Sequence, residues 1–360
     1  MKILVVANFD VGLYKFRKEL LQEMINRGHD VYISLPNGDL VEPLTELGCN
    51  FIDTSVDRRG MNPFKDFNLI LCYKKILDRI KPDSVITYTI KPNLYMGMLC
   101  RKERIPYSIN ITGLGTAFQS DGFMLKMFVN LYRFACKKAG TVIFENSENM
   151  QTFLNFKIVK NQQCLLNNGA GVNLEEYKFE SYPNDGEIRF LFIGRVMHEK
   201  GVDELFNAAK RIKKQYKSVF FDIVGPYEDD YKETVQRLVD EKIINYYGYQ
   251  EDVKPFIKNS NCFVLPSWHE GMANTNLESG AMGRPLITSN IHGCLEAVVD
   301  GKTGFLVEPK NVDSLYEKLK EFIELPYEKK CEMGKESHNH IAKNFDKKDV
   351  VEKTIQRLQI

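Results

Sequence analysis

Two glutamates, Glu270 and Glu278, lie eight positions apart in the run Pro266-Ser267-Trp268-His269-Glu270-Gly271-Met272-Ala273-Asn274-Thr275-Asn276-Leu277-Glu278. An ionised carboxylate accepts several hydrogen bonds at once, which suits the neighbouring hydroxyls of a sugar or a ribose. Just before the run, Cys262-Phe263-Val264-Leu265 reads as a short buried strand stopped by Pro266. Just after it, Asn276–Met282 reads as a helix stopped at Gly283-Arg284-Pro285. Glu270 is therefore expected on the loop at a strand's exit, and Glu278 in the helix that follows. Strand exits are where open α/β sheets bind ligands. The pair is expected to grip two hydroxyl-bearing parts of one ligand.

A second group could handle an anion. Phe190-Leu191-Phe192-Ile193-Gly194-Arg195 leads through Val196-Met197-His198-Glu199 to Lys200-Gly201. A strand ending in glycine lets the backbone come close to a ligand. Arg195 and Lys200 then flank a loop before a helix N-terminus, where amides and the dipole already favour anions. A rigid guanidinium fork beside a mobile ammonium suits a diphosphate. The same residues equally fit a solvated loop with two surface cations. Neither Gly-x-Gly-x-x-Gly nor the Walker lysine pattern occurs, which disfavours a nicotinamide enzyme or an ATPase.

These groups need elements to hold them. A chain of 360 residues suits two domains, and 43% hydrophobic with 27% charged residues describes a globular protein. The net charge of +1 argues against nucleic acid as a partner. Basic residues exceed acidic ones by four over residues 1–180 and fall short by three over the remainder, a mild asymmetry that suits an anionic partner or membrane surface. No run is apolar and long enough to span a bilayer, and Met1-Lys2 enters a strand directly, so the chain is expected in the cytoplasm. Eight scattered cysteines without Cys-x-x-Cys read as reduced, mostly buried hydrophobes, and no metal site is expected.

Strand-like runs at 3–8, 30–35, 49–53, 84–88, 107–111 and 141–145 alternate with helical spacing at 14–27, 40–47, 67–80 and 94–102. The polar stretch 179–187 reads as a linker, after which strands at 189–193, 219–224, 245–247, 262–265 and 285–289 alternate with helices. The expected fold is α/β with two doubly wound, Rossmann-like domains facing across a cleft. Their expected extents are residues 1–180 and 187–340, with 341–360 a C-terminal helix packing back on the first domain.

The ordered set Gly194-Arg195…Glu199-Lys200-Gly201, Phe263-Val264-Leu265-Pro266-Ser267…Glu270-Gly271, Asn276-Leu277-Glu278…Gly283-Arg284-Pro285 and Gly293-Cys294…Glu296…Asp300-Gly301…Gly304-Phe305-Leu306-Val307 resembles the retaining glycosyltransferases of the GT-B fold, glycosyltransferase family 4. The first half, through Asn8…Tyr14-Lys15-Phe16-Arg17, Thr89-Ile90-Lys91-Pro92-Asn93 and Asn110-Ile111-Thr112-Gly113-Leu114-Gly115, is similar to the subgroup that builds bacterial capsule, O-antigen and lipid-linked glycans. The resemblance implies transfer, with retention, of a hexose or N-acetylhexosamine from a UDP-sugar co-substrate to a polyprenyl-diphosphate-linked or soluble glycan. No cofactor or metal is implied.

By that resemblance Arg195 and Lys200 neutralise the diphosphate, and Glu270 holds the donor sugar. Backbone amides of Gly271, Met272 and Ala273 reach its other hydroxyls or phosphate, and Glu278 accepts from both ribose hydroxyls. Gly12, Gly194, Asn274, Asn276 and Leu277 complete the donor side, with Gly12 closing the turn before a helix at 14–27. Lys15, Arg17, Thr112 and Gly113 are the acceptor-side candidates. Two departures stand out: Met272-Ala273 replaces the usual aromatic-glycine, and Thr112-Gly113-Leu114-Gly115 lacks the histidine many relatives carry. His198 and His269 do not occupy that place, and no general base is named. Front-face substitution, thought to be used by retaining enzymes of this fold, needs none.

Residues 122–138 are apolar nearly all round and read first as a buried helix, with an interfacial helix edged by Lys126, Arg133, Lys137 and Lys138 as the sharper alternative. That alternative would make the protein peripheral on the inner face of the cell membrane. His338 and His340 read as solvated in a polar tail helix. The competing functions are an inverting transferase or epimerase-like enzyme of the same fold, and a non-catalytic nucleotide-sugar or glycan-binding module.

Overall fold

The computed structural model describes residues 1–56, 62–114, 118, 122–183 and 186–360. They divide into two compact units, Met1–Ala170 with Lys348–Ile360, and Gly171–Lys347. The first unit carries strands β1 (Lys2–Val6), β2 (Asp30–Leu35), β3 (Asn50–Asp53), β4 (Ser84–Tyr88), β5 (Tyr107–Ile111), β6 (Thr141–Phe144) and β7 (Cys164–Leu166). Its helices are α1 (Asp10–Asn26), α2 (Val41–Glu46), α3 (Pro63–Ile80), α4 (Ile90–Glu103), α5 (Phe123–Cys136) and α6 (Ser147–Asn155). The sheet order is β3-β2-β1-β4-β5-β6-β7, parallel throughout. Ile3–Val6 are buried on both sides, which is why β1 reads as an unbroken apolar run rather than an alternation.

The second unit repeats the plan with β8 (Ile188–Ile193), β9 (Val219–Val224), β10 (Asn245–Tyr246), β11 (Cys262–Leu265), β12 (Leu286–Ser289) and β13 (Gly304–Val307). Helices α7 (Val202–Gln215), α8 (Lys232–Asp240), α9 (Lys254–Asn259), α10 (Asn274–Ala281), α11 (Val312–Glu324) and α12 (Tyr327–Asn344) cover it. Its order is β10-β9-β8-β11-β12-β13, again parallel. In each sheet the winding reverses once, between β1 and β4 and between β8 and β11. Those switch points open the crevices in which such sheets take ligands. A last helix, α13 (Lys347–Leu358), returns to the first unit.

The polar stretch read as a linker is not free chain over 179–183. Arg284, wholly buried, donates to the carbonyls of Glu180 and Ser181, both at 2.9 Å, and lies over the Tyr182 ring. Tyr182 Oη donates to Asn261 O at 2.9 Å, and Phe179 meets the His338 ring. Burial pulls the Arg284 guanidinium down to about 10, which leaves it charged at neutral pH. The stretch is therefore pinned to the second unit by an arginine a hundred residues away, which composition does not reveal. The unit's first link comes earlier still, where Val172 N–H bonds Phe345 O at 2.8 Å and Lys347 N–H bonds Val172 O at 3.0 Å.

His338 and His340 are not solvated. His338 Nδ1–H donates to Ala281 O at 2.6 Å and His340 Nε2–H to Glu296 O at 2.9 Å, tying α12 to the end of α10 and to the 290–297 turn. Residues 122–138 are not buried all round. Phe128, Val129, Tyr132, Ala135 and Cys136 face the core while Phe123, Met124 and Phe134 are exposed. All eight cysteines are free, and burial pushes the Cys49 thiol up to about 11 and Cys100 up to about 12. Among the described residues no helix is long and apolar enough to cross a membrane, and no group of three or more His, Cys, Asp or Glu could hold a metal ion.

Candidate active site

The loops leaving β8 and β11 lie side by side because those strands are neighbours, with Phe190 opposite Cys262 and Leu191 opposite Phe263. They carry Arg195 and Lys200 on one, Glu270 on the other, at the switch point of the second sheet. Two contacts fasten the loops together. Trp268 N–H donates to Glu199 O at 2.9 Å. Gly201, at φ 71°, lies so close to the other loop that a Cβ there would sit 2.0 Å from Pro266 O. Only glycine meets both demands.

With the loops fastened, Lys200 Nζ reaches Glu270 Oε1 at 2.5 Å, and Ser267 Oγ donates to the same oxygen at 2.8 Å. The Lys200 and Glu270 side chains are 21% and 11% exposed, so the pair is sheltered yet open to a ligand on one side. Arg195 is half exposed and pairs with Glu228 Oε1 at 3.4 Å. Gly194 N–H bonds Val224 O at 2.9 Å, but a Cβ on Gly194 would touch only the Phe192 ring, nearest at 3.2 Å. The tighter residue is its neighbour Gly225, whose Cβ would fall 1.9 Å from Gly194 O at φ 140°. Sequence reasoning missed it, because a lone glycine before Pro226 looks like any turn.

The Glu270 loop is backed by a turn whose Gly293 and Glu296 stand in the resembling runs but were given no part in the site. Gly293, at φ 91°, packs against Glu270 so that a Cβ would lie 2.7 Å from Glu270 O and 2.9 Å from its Cβ. Glu296 holds that turn by accepting from Gly293 N–H at 2.7 Å and from His292 Nδ1 at 2.8 Å. Ala273 N–H donates to Gly293 O at 2.7 Å, so this amide is committed to the fold and is not offered to a donor sugar or phosphate. Met272 and Ala273 are packed in the apolar core of the unit, which accounts for apolar residues there. Cys294, beneath Glu270, has its thiol pushed far up by burial and by that carboxylate, and is inert.

Helix α10 begins at Asn274, earlier than the apolar spacing suggested. Asn274 Oδ1 is buried without a hydrogen-bond partner. Asn276 is wholly buried, donates through Nδ2 to Thr288 Oγ1 at 3.1 Å, and through Thr288 is linked to Leu265 O. Asn276 and the buried Leu277 thus anchor α10 to β11 and β12. Glu278, half-buried, sits past the first turn of the helix. Of the donor-side residues, the structure brings Lys200, Glu270 and Gly271 onto adjoining loops. Gly12 belongs to the first unit, inside the first turn of α1 and not in a turn before it, and its missing Cβ makes room for the Phe9 ring 2.5 Å away.

On the acceptor side, Arg17 forms a mostly buried ion pair with Glu145 at the exit of β6 and lies over the Tyr88 ring. It is engaged within the fold rather than displayed, whereas Lys15 is exposed. Thr112 and Gly113 follow β5, half-buried, and a Cβ on Gly113 would meet nothing within 4 Å. Gly115 lies outside the described residues. The Thr89–Asn93 run has a structural use: Asn93 accepts from Thr87 Oγ1 at 2.7 Å and donates to Asn110 O at 2.8 Å, stitching α4 to β4 and β5. Of the histidines in the donor loops, His269 is exposed, while His198 pairs with Asp203, which also accepts from Tyr231 Oη at 2.6 Å.

Residues 173–340 match the family model described as glycosyl transferases group 1, and residues 2–146 match glycosyl transferase 4-like. The chain is 25% identical over 342 residues to N,N'-diacetylbacillosaminyl-diphospho-undecaprenol alpha-1,3-N-acetylgalactosaminyltransferase of Campylobacter jejuni, covering 90% of each chain. It is 29% identical over 284 residues to UDP-Gal:alpha-D-GlcNAc-diphosphoundecaprenol alpha-1,3-galactosyltransferase of Escherichia coli, covering 72% of this chain and 71% of that one. Among solved structures, Anabaena HepE in complex with UDP-glucose is similar at a TM-score of 0.83 and 17% identity, covering 100% of this chain and 99% of that one. A Rickettsia africae glycosyltransferase matches at 0.82 and 20% identity, over 99% of this chain and 97% of that one. The chain belongs to the glycosyltransferases, as a member with the GT-B fold.

Proposed function

We propose that the protein is a retaining, metal-independent hexosyl- or N-acetylhexosaminyltransferase. It moves the sugar of a UDP-sugar to a hydroxyl of a polyprenyl-diphosphate-linked glycan in the synthesis of a surface polysaccharide. Support comes from the two relatives above, whose names carry undecaprenyl-diphosphate-linked acceptors, and from the UDP-glucose bound to a protein of the same fold. The observation that carries the reading is the Lys200–Glu270 pair at the switch point. A diphosphate entering there takes Lys200 and Arg195 as counter-charges, and the sugar takes the acceptor capacity of Glu270 that Lys200 gives up. Glu278 on α10 is the ribose partner. Catalysis is then positioning plus electrostatic support of the departing diphosphate.

The test incubates the protein with single UDP-sugars and a short polyprenyl-diphosphate glycan, with and without a chelator. UDP release together with an α-linked product from an α-linked donor, by NMR of the anomeric proton, is the expected result. A β-linked product overturns retention, and loss of activity on chelation overturns metal independence. Failure of every UDP-sugar, with turnover of a GDP-sugar, overturns the donor class.

A further inference from the structure

Strand β8 lies between β9 and β11, so the loop that leaves it, with Arg195 and Lys200, has a neighbour on each side. On the β11 side it is held by the Trp268 amide and by the close approach of Gly201 to Pro266. On the β9 side it is held at two places. Val196 pairs with the loop after β9, its N–H donating to Pro226 O at 2.8 Å and its carbonyl accepting from Glu228 N–H at 3.2 Å. Further on, His198 N–H donates to Asp229 Oδ2 at 2.9 Å, and the His198 ring enters a side-chain network outside the Lys200–Glu270 pair.

Asp203, in the first turn of α7, is the common acceptor of that network. Its Oδ2 takes the Tyr231 hydroxyl at 2.6 Å and also the His198 ring at Nδ1. Burial and the Asp203 carboxylate push the Tyr231 phenol far up, so it stays a donor. An ionised carboxylate only accepts, so Nδ1 carries the proton it shares with Asp203. The His198 ring also meets the Trp268 ring edge-on at 4.2 Å, and Trp268 Nε1 donates to Glu204 Oε1 at 3.3 Å. An acidic residue in a first helical turn serves the helix without any partner. Here one carboxylate oxygen joins three elements: the turn after β8, the loop after β9 and the start of α7.

His198 to Lys200 is a single tight helical turn, closed by Lys200 N–H to Met197 O at 3.1 Å and by Gly201 N–H to His198 O at 2.9 Å. A turn this short moves as a unit, so whatever fixes His198 fixes the backbone under Lys200 two residues on. We infer that His198 is a positioning residue, whose bond to Asp203 and Tyr231 sets the place from which Lys200 meets the diphosphate of the donor. The inference rests on the diphosphate role proposed for Lys200. A misplacement of about 1 Å at such a site can cost on the order of 10²-fold in rate, and the loss of one tie among several costs less.

The test removes the bond and the ring separately. His198→Phe keeps a ring and removes the donor, whereas His198→Asn keeps an N–H at the reach of Nδ1 and removes the ring. The His198 side chain is 58% exposed, so both variants are expected to melt with the wild type. H198F is expected to raise donor KM and to lower kcat/KM for the donor by roughly ten-fold, with acceptor KM unchanged. H198N is expected to recover most of that loss, and Y231F to fall between the two. In the Lys200→Ala background H198F is expected to cost nothing further, because its effect passes through Lys200. Three results overturn the proposal: donor kinetics in H198F equal to wild type, a loss that H198N shares in full, or an undiminished further loss in the Lys200→Ala background. A wild-type chain that neither binds UDP nor transfers sugar from any nucleotide-sugar overturns it together with the function it rests on, whereas normal transfer indifferent to H198F overturns it alone.

Discussion

Lys200 and Glu270 are bonded to each other before any donor is present, although each has a separate part to play when one is bound. The pair keeps both charges partly out of water and in place, so donor binding exchanges partners rather than ordering loose side chains. Removing either member is expected to lower kcat/KM by about 10²-fold or more. Lys200→Ala also removes the counter-charge of a sheltered carboxylate, at a cost of roughly 1–3 kcal/mol in stability. Steady-state kinetics on variants with native circular dichroism decide this, and near wild-type turnover in either sinks the assignment. The glycines divide differently from their motif standing. Gly201→Ala meets Pro266 O and a left-handed φ together, and is expected to lose at least about 2 kcal/mol by chemical denaturation. Gly194→Ala presses only on the edge of the Phe192 ring and is expected to stay within about 1 kcal/mol of wild type. The charged side chains of the site were legible in the sequence because Arg195, Lys200, Glu270 and Glu278 sit at strand exits and helix starts. Gly225 was not, and Gly293 and Glu296 showed only as members of the resembling runs, since the use of all three lies in contacts between segments that no local spacing encodes.

The elements that hold the site are short and interlocked, and their legibility follows length and burial. Strands β1, β8 and β11 are largely apolar runs covered on both faces, so they stand out in the sequence, while β4 and β5 are buried runs that include Thr87, Ser108 and Asn110. Strands β7 and β13, of three and four residues, were overlooked, and the helix expected over 341–360 is broken at Phe345-Asp346, where α12 ends and α13 begins. The 290–297 turn shows how an element far along the chain governs chemistry. It fills the space behind Glu270, holds Ala273 N–H, and is itself held by Glu296 and, through Glu296 O, by His340 on α12. Gly293→Ala must push Glu270 out of register with Lys200, and a displacement of about 1 Å at such a site can cost on the order of 10²-fold in rate. The prediction is a fall in kcat with far-UV circular dichroism unchanged, and an unimpaired kcat would show that the turn tolerates the methyl. The lone tryptophan offers a direct view of the same loops. Trp268 is bonded to Glu199 O through its backbone and lies between the His198 ring at 4.2 Å and Lys310 Nζ at 4.4 Å. Saturating UDP is expected to change its emission, and the change should vanish in Lys200→Ala.

At the scale of the whole molecule the chain is discontinuous: the first unit is made of Met1–Ala170 and Lys348–Ile360, with all of the second unit inserted between them. Helix α13 therefore belongs energetically to residues more than 170 positions away. Ile355 is wholly buried in the apolar cluster of Ile3, Val5, Leu21 and Ile33, beneath β1 and β2. Around it, Thr354 Oγ1 accepts from Asn167 Nδ2 at 2.8 Å, Lys353 Nζ donates to Leu166 O at 2.6 Å, and Arg27 pairs with Glu352 at 2.8 Å. The exposed ion pair contributes little, but Ile355 fills a core site, and its truncation to alanine is expected to cost about 2–4 kcal/mol. Ending the chain after Lys347 removes this packing and leaves Asn167, itself buried, without the partner for its amide. The loss falls on one unit alone. Hydrogen exchange of the shortened protein should speed up over β1, β2 and α1, with β8, β11 and α10 keeping the protection they have in the full chain, because none of their core contacts involve α13. Equal acceleration in both units would mean that they unfold as one cooperative body, and unchanged protection in β1 would mean that α13 adds nothing to the core it covers.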